Sequence, residues 1–351
     1  MTDVQQAPRG PLFSVLVAAY NQGAYILDTL DSVARQTFPD YEIVVVDDGS
    51  TDDTVARVRA WEREFARSHP GNRMVFVSTP NRGQSAALEH AFELSAGRYL
   101  CLLDSDDRWV PEKLERLARA AGADPGAGMI VHPLFVIDSA GNRTGDVRPK
   151  RAKLSSGDIR EQMRRTGRHV APATSGVTIR REVFAQLVPM PTKVLKFGAD
   201  GYLTFGATLL SPVHALEEPL GEYRMHPDGQ YIRLMSSPEG LQRQIELQLV
   251  IARHFGVEEV VRRNSFFARN VFASVKFEGT LRQKLAAYAG LVRATVADPS
   301  FRPHQRLLLS AYWTLCVLSP LPLFTRLWEG FQVRQTGFNR LELAAVRREA
   351  P

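Results

Sequence analysis

The first hundred residues of this chain alternate between two patterns: short apolar runs that end in polar turns, and amphipathic stripes at helical spacing. Phe13 to Ala19 is apolar and breaks at Tyr20-Asn-Gln-Gly23, after which Ile26, Leu27, Leu30, Val33 and Ala34 recur as one helical face. Tyr41 to Val46, rich in β-branched residues, runs into Asp47-Asp-Gly-Ser-Thr-Asp-Asp53. Val55, Val58, Trp61 and Phe65 then mark a second helix, with Ser50, Thr51 and Asp52 as candidate N-caps. Met74 to Val77 is a third strand, Pro80-Asn-Arg-Gly83 its turn, and Ala87, Leu88, Ala91 and Phe92 a third helical stripe. Tyr99 to Leu103 is the fourth strand. Strands alternating with helices in this way predict an α/β fold, a mostly parallel sheet with helices on both faces. Ligands of such sheets bind at the carboxyl ends of the strands. The expected topology therefore gathers Tyr20-Asn21, Asp47-Asp48, Asn81-Arg82-Gly83 and Asp104-Asp106 from distant parts of the sequence.

The fourth strand runs straight into Asp104, Asp106 and Asp107. Three carboxylates at the end of a buried strand repel one another and hydrate poorly unless a cation sits among them. Asp104 and Asp106 are two residues apart and point the same way on extended backbone, a workable pair for a hard divalent ion. An acidic turn leading into a helix is the other reading of the same residues.

Further along, Met129 to Ile137 reads as one strand, Thr144 to Lys153 as a basic loop, and Ser175 to Ile179 as a strand followed by a short helix. From Ser237-Pro238, an N-cap and first-turn pair, the pattern becomes helical, over roughly 238–255, 257–277, 280–297 and 303–333. Leu307 to Thr325 carries no formal charge, but Pro320 and Pro322 interrupt it. A helix lying on a membrane interface, or packed on the rest of the chain, fits better than a spanning one, with Trp313, Trp328, Arg302, Arg306, Arg326 and Arg334 suited to an interface.

Charge is uneven. From Gly240 onward 16 Lys and Arg stand against 8 Asp and Glu, a net +8, while the rest of the chain carries −2. That asymmetry points to an anionic partner surface or to solvated helix faces. Two distant cysteines, Cys101 and Cys316, exclude a disulfide framework and a zinc spacing and suit a reducing compartment. The first ten residues lack an apolar segment, so a cytoplasmic protein without a secretory signal is expected.

Four segments together resemble the family-2 glycosyltransferases, inverting sugar transferases of the GT-A fold. They are Val17-Ala-Ala-Tyr-Asn21, Val45-Val-Asp-Asp-Gly-Ser-Thr-Asp52, Asn81-Arg-Gly-Gln-Ser-Ala86 and Leu103-Asp-Ser-Asp-Asp107, in the family's order and spacing. The resemblance implies a GT-A domain over 12–235, after a flexible N-terminus over 1–11; the C-terminal helical region over 236–351 lies beyond it, and its charge and helix pattern offer it for peripheral membrane contact or for packing on the catalytic domain. The resemblance also implies a nucleotide-diphosphate sugar donor, uridine or thymidine favoured, and a glycan, lipid-linked or other hydroxyl acceptor, with no nucleic acid as partner. Asp48 matches the base-reading aspartate. Ala19, Tyr20, Asn21, Arg82, Gly83 and Ser105 fall along the nucleotide-sugar pocket, and Asp104 at ribose and metal contacts. Asp106 matches the metal ligand, for Mn2+ or Mg2+, and His226 of Tyr223-Arg-Met-His226 completes metal or diphosphate binding. Asp200 of Phe197-Gly-Ala-Asp200 falls where the family carries its general base, although Ala199 stands where many members have glutamate. Thr174-Ser175-Gly176 is placed to offer backbone to the acceptor.

A dinucleotide-binding oxidoreductase would need a glycine-rich fingerprint after the first strand, and Tyr20-Asn-Gln-Gly23 has one glycine. A sugar nucleotidyltransferase would carry a glycine-rich basic loop there, which is absent. A non-catalytic domain that binds a partner or membrane through its basic tail is the remaining alternative.

Overall fold

The computed structural model of the protein describes residues 10–150, 152–226, 238–298 and 301–336. The cap expected at Ser237, most of the N-terminal segment and the expected boundary at 235/236 lie outside them. Two compact units result: one built from residues 10–149, 153–160 and 170–224, the other from 150, 152, 161–169 and the described residues from Met225 onward.

The first unit is built on buried parallel strands. Its strands are β1 (Phe13–Ala19), β2 (Tyr41–Asp47), β3 (Met74–Ser78), β4 (Tyr99–Asp104), β5 (Arg108–Trp109), β6 (Met129–Val131), β7 (Leu134–Ile137), β8 (Arg143–Arg148), β9 (Val177–Arg180), β10 (Val213–Ala215) and β11 (Gly221–Arg224). Among the described residues the larger sheet has the order β10-β6-β9-β4-β1-β2-β3, and the smaller β5-β11-β7-β8. β1, β2, β3 and β4 pair in parallel, while β9 runs antiparallel between β4 and β6. Every residue of β2 is buried, as expected of a central strand covered on both faces. Alternate residues of β1, β2 and β4 meet α1 (Ile26–Ala34), α2 (Thr54–Ser68) and α4 (Lys113–Ala123) through Ile26, Leu30, Val58, Phe65, Leu114 and Leu117. The other face carries α3 (Gln84–Leu94), packed on β1 and β2 through Ala87, Leu88 and Ala91.

Three expectations change. Met129–Ile137 is two strands in different sheets, because Pro133, with no N–H to give a ladder, follows His132 at the break. Residues 143–148 form β8 instead of a loop. Pairing with β7, and Arg143 lying over the Phe135 ring at 3.8 Å, overrides a sequence poor in strand formers. α2 begins at Thr54 with Asp53 at its cap, and Asp53 makes no side-chain cap bond. Ser50 and Thr51 are engaged elsewhere, and Asp52 accepts the Thr54 N–H at 3.0 Å.

The second unit is helical. Its helices span Pro238–His254, Glu258–Arg263, Ser265–Glu278, Leu281–Ala297, Pro303–Leu318 and Leu321–Thr336. The expected segment 257–277 splits at Asn264, whose side chain accepts the Phe267 N–H and caps a new helix. The segment 303–333 splits at Ser319-Pro320, where proline cannot continue the hydrogen-bond ladder. The core joins Phe272, Leu291, Trp313, Cys316, Phe324 and Trp328. Trp313 and Trp328, expected at a membrane interface, are therefore interior residues, 2% and 3% exposed. No helix among the described residues is long and apolar enough to cross a membrane.

At the amino end of the large sheet, buried Glu42 holds three elements together. It accepts the Ser14 hydroxyl at 2.6 Å, the Ala96 N–H at 2.5 Å and the Gly97 N–H at 3.1 Å, and pairs with Arg73. Replacing it with alanine leaves buried donors without acceptors, each costing about 1–3 kcal/mol. Urea denaturation of Glu42→Ala should show a loss of about 3 kcal/mol or more, with the denaturant slope unchanged.

Candidate active site

Parallel register sets the ends of three strands side by side: Ala19 of β1 faces Asp47 of β2, and Ala18 faces Asp104 of β4. The loops that follow are stitched to each other. Asn21 adopts a left-handed backbone with φ 52°, which asparagine tolerates better than most residues. Its side-chain oxygen accepts the Thr51 N–H at 2.8 Å, and its own N–H donates to the Ser50 hydroxyl at 2.9 Å. Tyr20 beside it is exposed.

Asp48 is buried, and its two oxygens accept the N–H groups of Arg82 at 2.7 Å and Gly83 at 2.8 Å. The carboxylate thereby fixes the turn between β3 and α3. Gly83 sits at φ +95°, and a Cβ there would lie 2.6 Å from the Lys196 carbonyl oxygen. Glycine at this position lets the loop leading to Asp200 approach, and the Gln84 N–H donates to that same carbonyl at 2.8 Å. The Arg82 side chain is exposed.

The acidic turn after β4 divides its work. Asp107 is fully buried and accepts the Ser175 hydroxyl at 2.6 Å and the Arg224 N–H at 2.8 Å. The Arg224 guanidinium donates to the Asp106 carbonyl at 2.7 Å and pairs with Asp28 of α1. Asp107 is thus a bracket, and Ser105 is buried between Asp104 and Asp106. Burial raises the Asp104 carboxyl well above the ordinary range, and the charges of Asp106 and Asp200 push it further. The Thr174 hydroxyl and the Gln84 amide, the latter 3.4 Å from Asp104 Oδ1, partly offset this. Asp200 stands in the first turn of the helix Ala199–Leu210, and burial raises it too, against hydrogen bonds from Gly201 N–H and the Thr174 hydroxyl. The preceding Ala199 is fully buried, so this helix start offers no second carboxylate.

Ser175 is the hub behind these groups. Its hydroxyl donates to Asp107 and accepts the Asp104 N–H at 3.1 Å, while its carbonyl accepts Lys113 Nζ at 2.7 Å and the Trp109 indole N–H at 3.2 Å. Lys113 is fully buried at the start of α4 and lies 3.6 Å over the Trp109 ring. The turn that carries Ser175 also carries Thr174, whose hydroxyl reaches both Asp104 and Asp200.

Of the residues expected from the sequence, Asp104, Asp106 and Asp200 form one electrostatic group. Asp48, Arg82 and Gly83 adjoin it through Gln84, and Ala19, Tyr20 and Asn21 line the neighbouring strand end. His226 is buried and belongs to the second unit. Gln84, Lys113, Trp109 and the Thr174 hydroxyl were not singled out by the sequence. Gln84 and Thr174 reach the carboxylates directly, and Lys113 and Trp109 reach them only through Ser175, by folding across tens of residues that no local spacing encodes.

Hard oxygen ligands held close against their own repulsion fit a divalent cation. Among the described residues no three His, Cys, Asp or Glu side chains form a complete metal cluster. Mg2+-type sites commonly use one or two carboxylates and take the rest from substrate phosphates, which Asp104 and Asp106 would suit.

The model of the family described as Glycosyl transferase family 2 matches residues 14–188. An uncharacterized glycosyltransferase of a Nostoc species is 30% identical over 214 residues, covering 61% of this chain and 64% of the relative. TuaG of Bacillus subtilis, named for teichuronic acid biosynthesis, is 41% identical over 106 residues, 30% of this chain and 40% of the relative. The chain spans less than two thirds of the length of either. Among solved structures, Staphylococcus aureus TarS with UDP-GlcNAc superposes with a TM-score of 0.54 at 18% identity, over 92% of each chain. The mannosyltransferase PcManGT of Pyrobaculum calidifontis, with GDP-Man and Mn2+, gives 0.52 at 19%, over 97% of this chain and 86% of that one. At such identities these two likenesses establish the fold, which is of the GT-A type.

Burial lowers Lys113 from 10.5 to about 7. Between those values the unfolded chain holds a proton that the folded protein lacks, so this group makes stability rise with pH across that window. The unfolding midpoint should climb from about pH 7 to about pH 9, and Lys113→Met should flatten that slope in a thermal melt series.

Proposed function

The chain belongs to glycosyl transferase family 2 through residues 14–188, and on that premise we propose that it moves a sugar from a nucleotide-diphosphate donor to an acceptor hydroxyl with inversion. The observation that carries this reading is the group of Asp104, Asp106 and Asp200 at the carboxyl end of β4, where the charges of Asp106 and Asp200 both act on buried Asp104. The nucleotide lies along the strand ends, against Ala19, Tyr20 and Asn21, with Asp48 and the Arg82-Gly83 turn beside the base and Ser105 beneath the sugar. UDP or dTDP is the favoured carrier, in keeping with the UDP-GlcNAc of TarS. Polysaccharide or glycoconjugate synthesis suits a relative named for teichuronic acid biosynthesis.

Asp104 and Asp106 would hold Mn2+ or Mg2+, and such an ion offsets charge on the departing diphosphate. Asp200 takes the acceptor proton. As it does so, the acceptor oxygen bonds the anomeric carbon and the bond to the diphosphate oxygen breaks, its electron pair leaving with the nucleotide. One displacement inverts the anomeric centre. Thr174 keeps Asp200 in register with Asp104 through its hydroxyl. The non-catalytic alternative is less well supported, because mutually repelling buried carboxylates carry a folding cost that a mere scaffold has no reason to keep.

A panel of UDP-, dTDP- and GDP-sugars, assayed by thermal shift with and without Mn2+, should show metal-dependent stabilisation by one donor class. If none binds to the folded protein, the reading fails. Asp200→Asn should bind that donor as well as the parent while losing about 10²–10⁴-fold in turnover. Thr174→Val should lower kcat by about tenfold to a hundredfold with little change in donor KM, and Thr174→Ser should recover most of it.

A further inference from the structure

The second unit presents to solvent the wrong kind of helix face. On the helix Pro303–Leu318, Trp313 and Cys316 point into the core with Leu309 and Tyr312 packed against it. The opposite face should be polar. Instead Leu307, Leu308, Leu315 and Leu318 recur along it, the last three at spacings of seven and three residues, with Leu307, Leu308 and Leu318 exposed by 73%, 68% and 78%. The neighbouring helix Leu281–Ala297 runs antiparallel, pinned where the Tyr288 hydroxyl meets that of Thr314 at 2.6 Å. This register brings its first turn, with Leu281 and Leu285, to the same end of the pair as Leu318.

Charge within the two helices and their connection is mostly of one sign, with Glu278 and Glu329 flanking the segment. Residues 281–326 contain six Lys and Arg and one acidic residue, Asp298. Asp298 is buried, and its carboxylate accepts the Ser265 hydroxyl at 2.5 Å and pairs with Arg168. Arg282 and Arg293 are exposed on one helix, Arg302 precedes the other, and Arg326 follows it. No carboxylate of the segment is available to pair with them across an interface. A second copy of this chain would therefore bring positive charge against positive charge around the leucines. An anionic bilayer satisfies both features, since it takes leucine side chains into its acyl boundary and arginines at its headgroups.

From this face we propose that the helices Leu281–Ala297 and Pro303–Leu318 dock peripherally on an anionic phospholipid bilayer. Leucines enter the membrane, arginines meet the phosphates, and no helix crosses. The inference is independent of the reaction assigned to the first unit.

The test is flotation of the full chain with vesicles of phosphatidylcholine alone or mixed equally with phosphatidylglycerol. Binding is expected to the mixed vesicles and to weaken steeply as salt rises from about 0.05 M to about 0.5 M. The triple variant Leu308→Ser, Leu315→Ser, Leu318→Ser should melt like the parent and lose binding on the order of tenfold or more. Arg282→Gln with Arg302→Gln changes no core residue and should cost on the order of tenfold on mixed vesicles only. No flotation at low salt, equal binding to both vesicles, or unchanged binding by the leucine or the arginine variant overturns the proposal. So does light scattering that shows a stable oligomer which the leucine variant dissociates.

Discussion

Negative charge crowded at the end of one buried strand is the constraint to which the first unit answers. Asp104, Asp106, Asp107 and Asp200 gather at one strand end; burial and neighbouring carboxylates disfavour the ionised forms of Asp104 and Asp107, and burial disfavours that of Asp200. Left alone, such a group would neutralise itself or push its loops apart. The surrounding chain removes one member from the conflict: Asp107 is satisfied by Ser175 and by the backbone of Arg224. The others are restrained from behind. Ser175 gathers Asp104, Asp107, Trp109 and Lys113 on a single residue, with an uncharged hydroxyl and carbonyl as the joints. Asp106 and Asp200 still press their charge on Asp104 at the strand end.

Much of this was legible in the sequence, for a physical reason. Buried parallel strands are continuous apolar runs, and their ends announce themselves by sudden polarity, as at Ala19-Tyr20, Asp47-Asp48 and Asp104. Parallel topology then does the rest of the placing. Less was legible where pairing partners decide the outcome. β8 has weak intrinsic preference and exists because β7 offers it an edge, and Met129–Ile137 reads as one apolar run although Pro133 sends its halves to different sheets. The side-chain contacts of Gln84, Lys113 and Thr174 were not legible for the same reason. Nothing in a glutamine, a lysine or a threonine says that its contacts lie tens of residues away.

The helical unit illustrates a different limit. Between Leu307 and Leu318 nearly every residue is apolar, so helical periodicity has no polar face against which to register. Aromatic residues suggested the outside and proved to be the inside: Trp313, Trp328 and Phe324 fill the interior against Phe272. Their large, rigid rings give the small helical core its volume. The leucines left over are the residues that the fold does not need for itself.

One consequence follows from the direction of β9. Because it runs against β4, the chain reaches the carboxylates before entering the strand, so Thr174 and Ser175 are held from their downstream side by the β9 ladder and by Lys113 and Trp109. The polypeptide upstream of Thr174 carries none of that anchoring. A change of length or composition there leaves the anchored side of the turn in place, so such a change would alter the approach to the carboxylates before it altered their spacing.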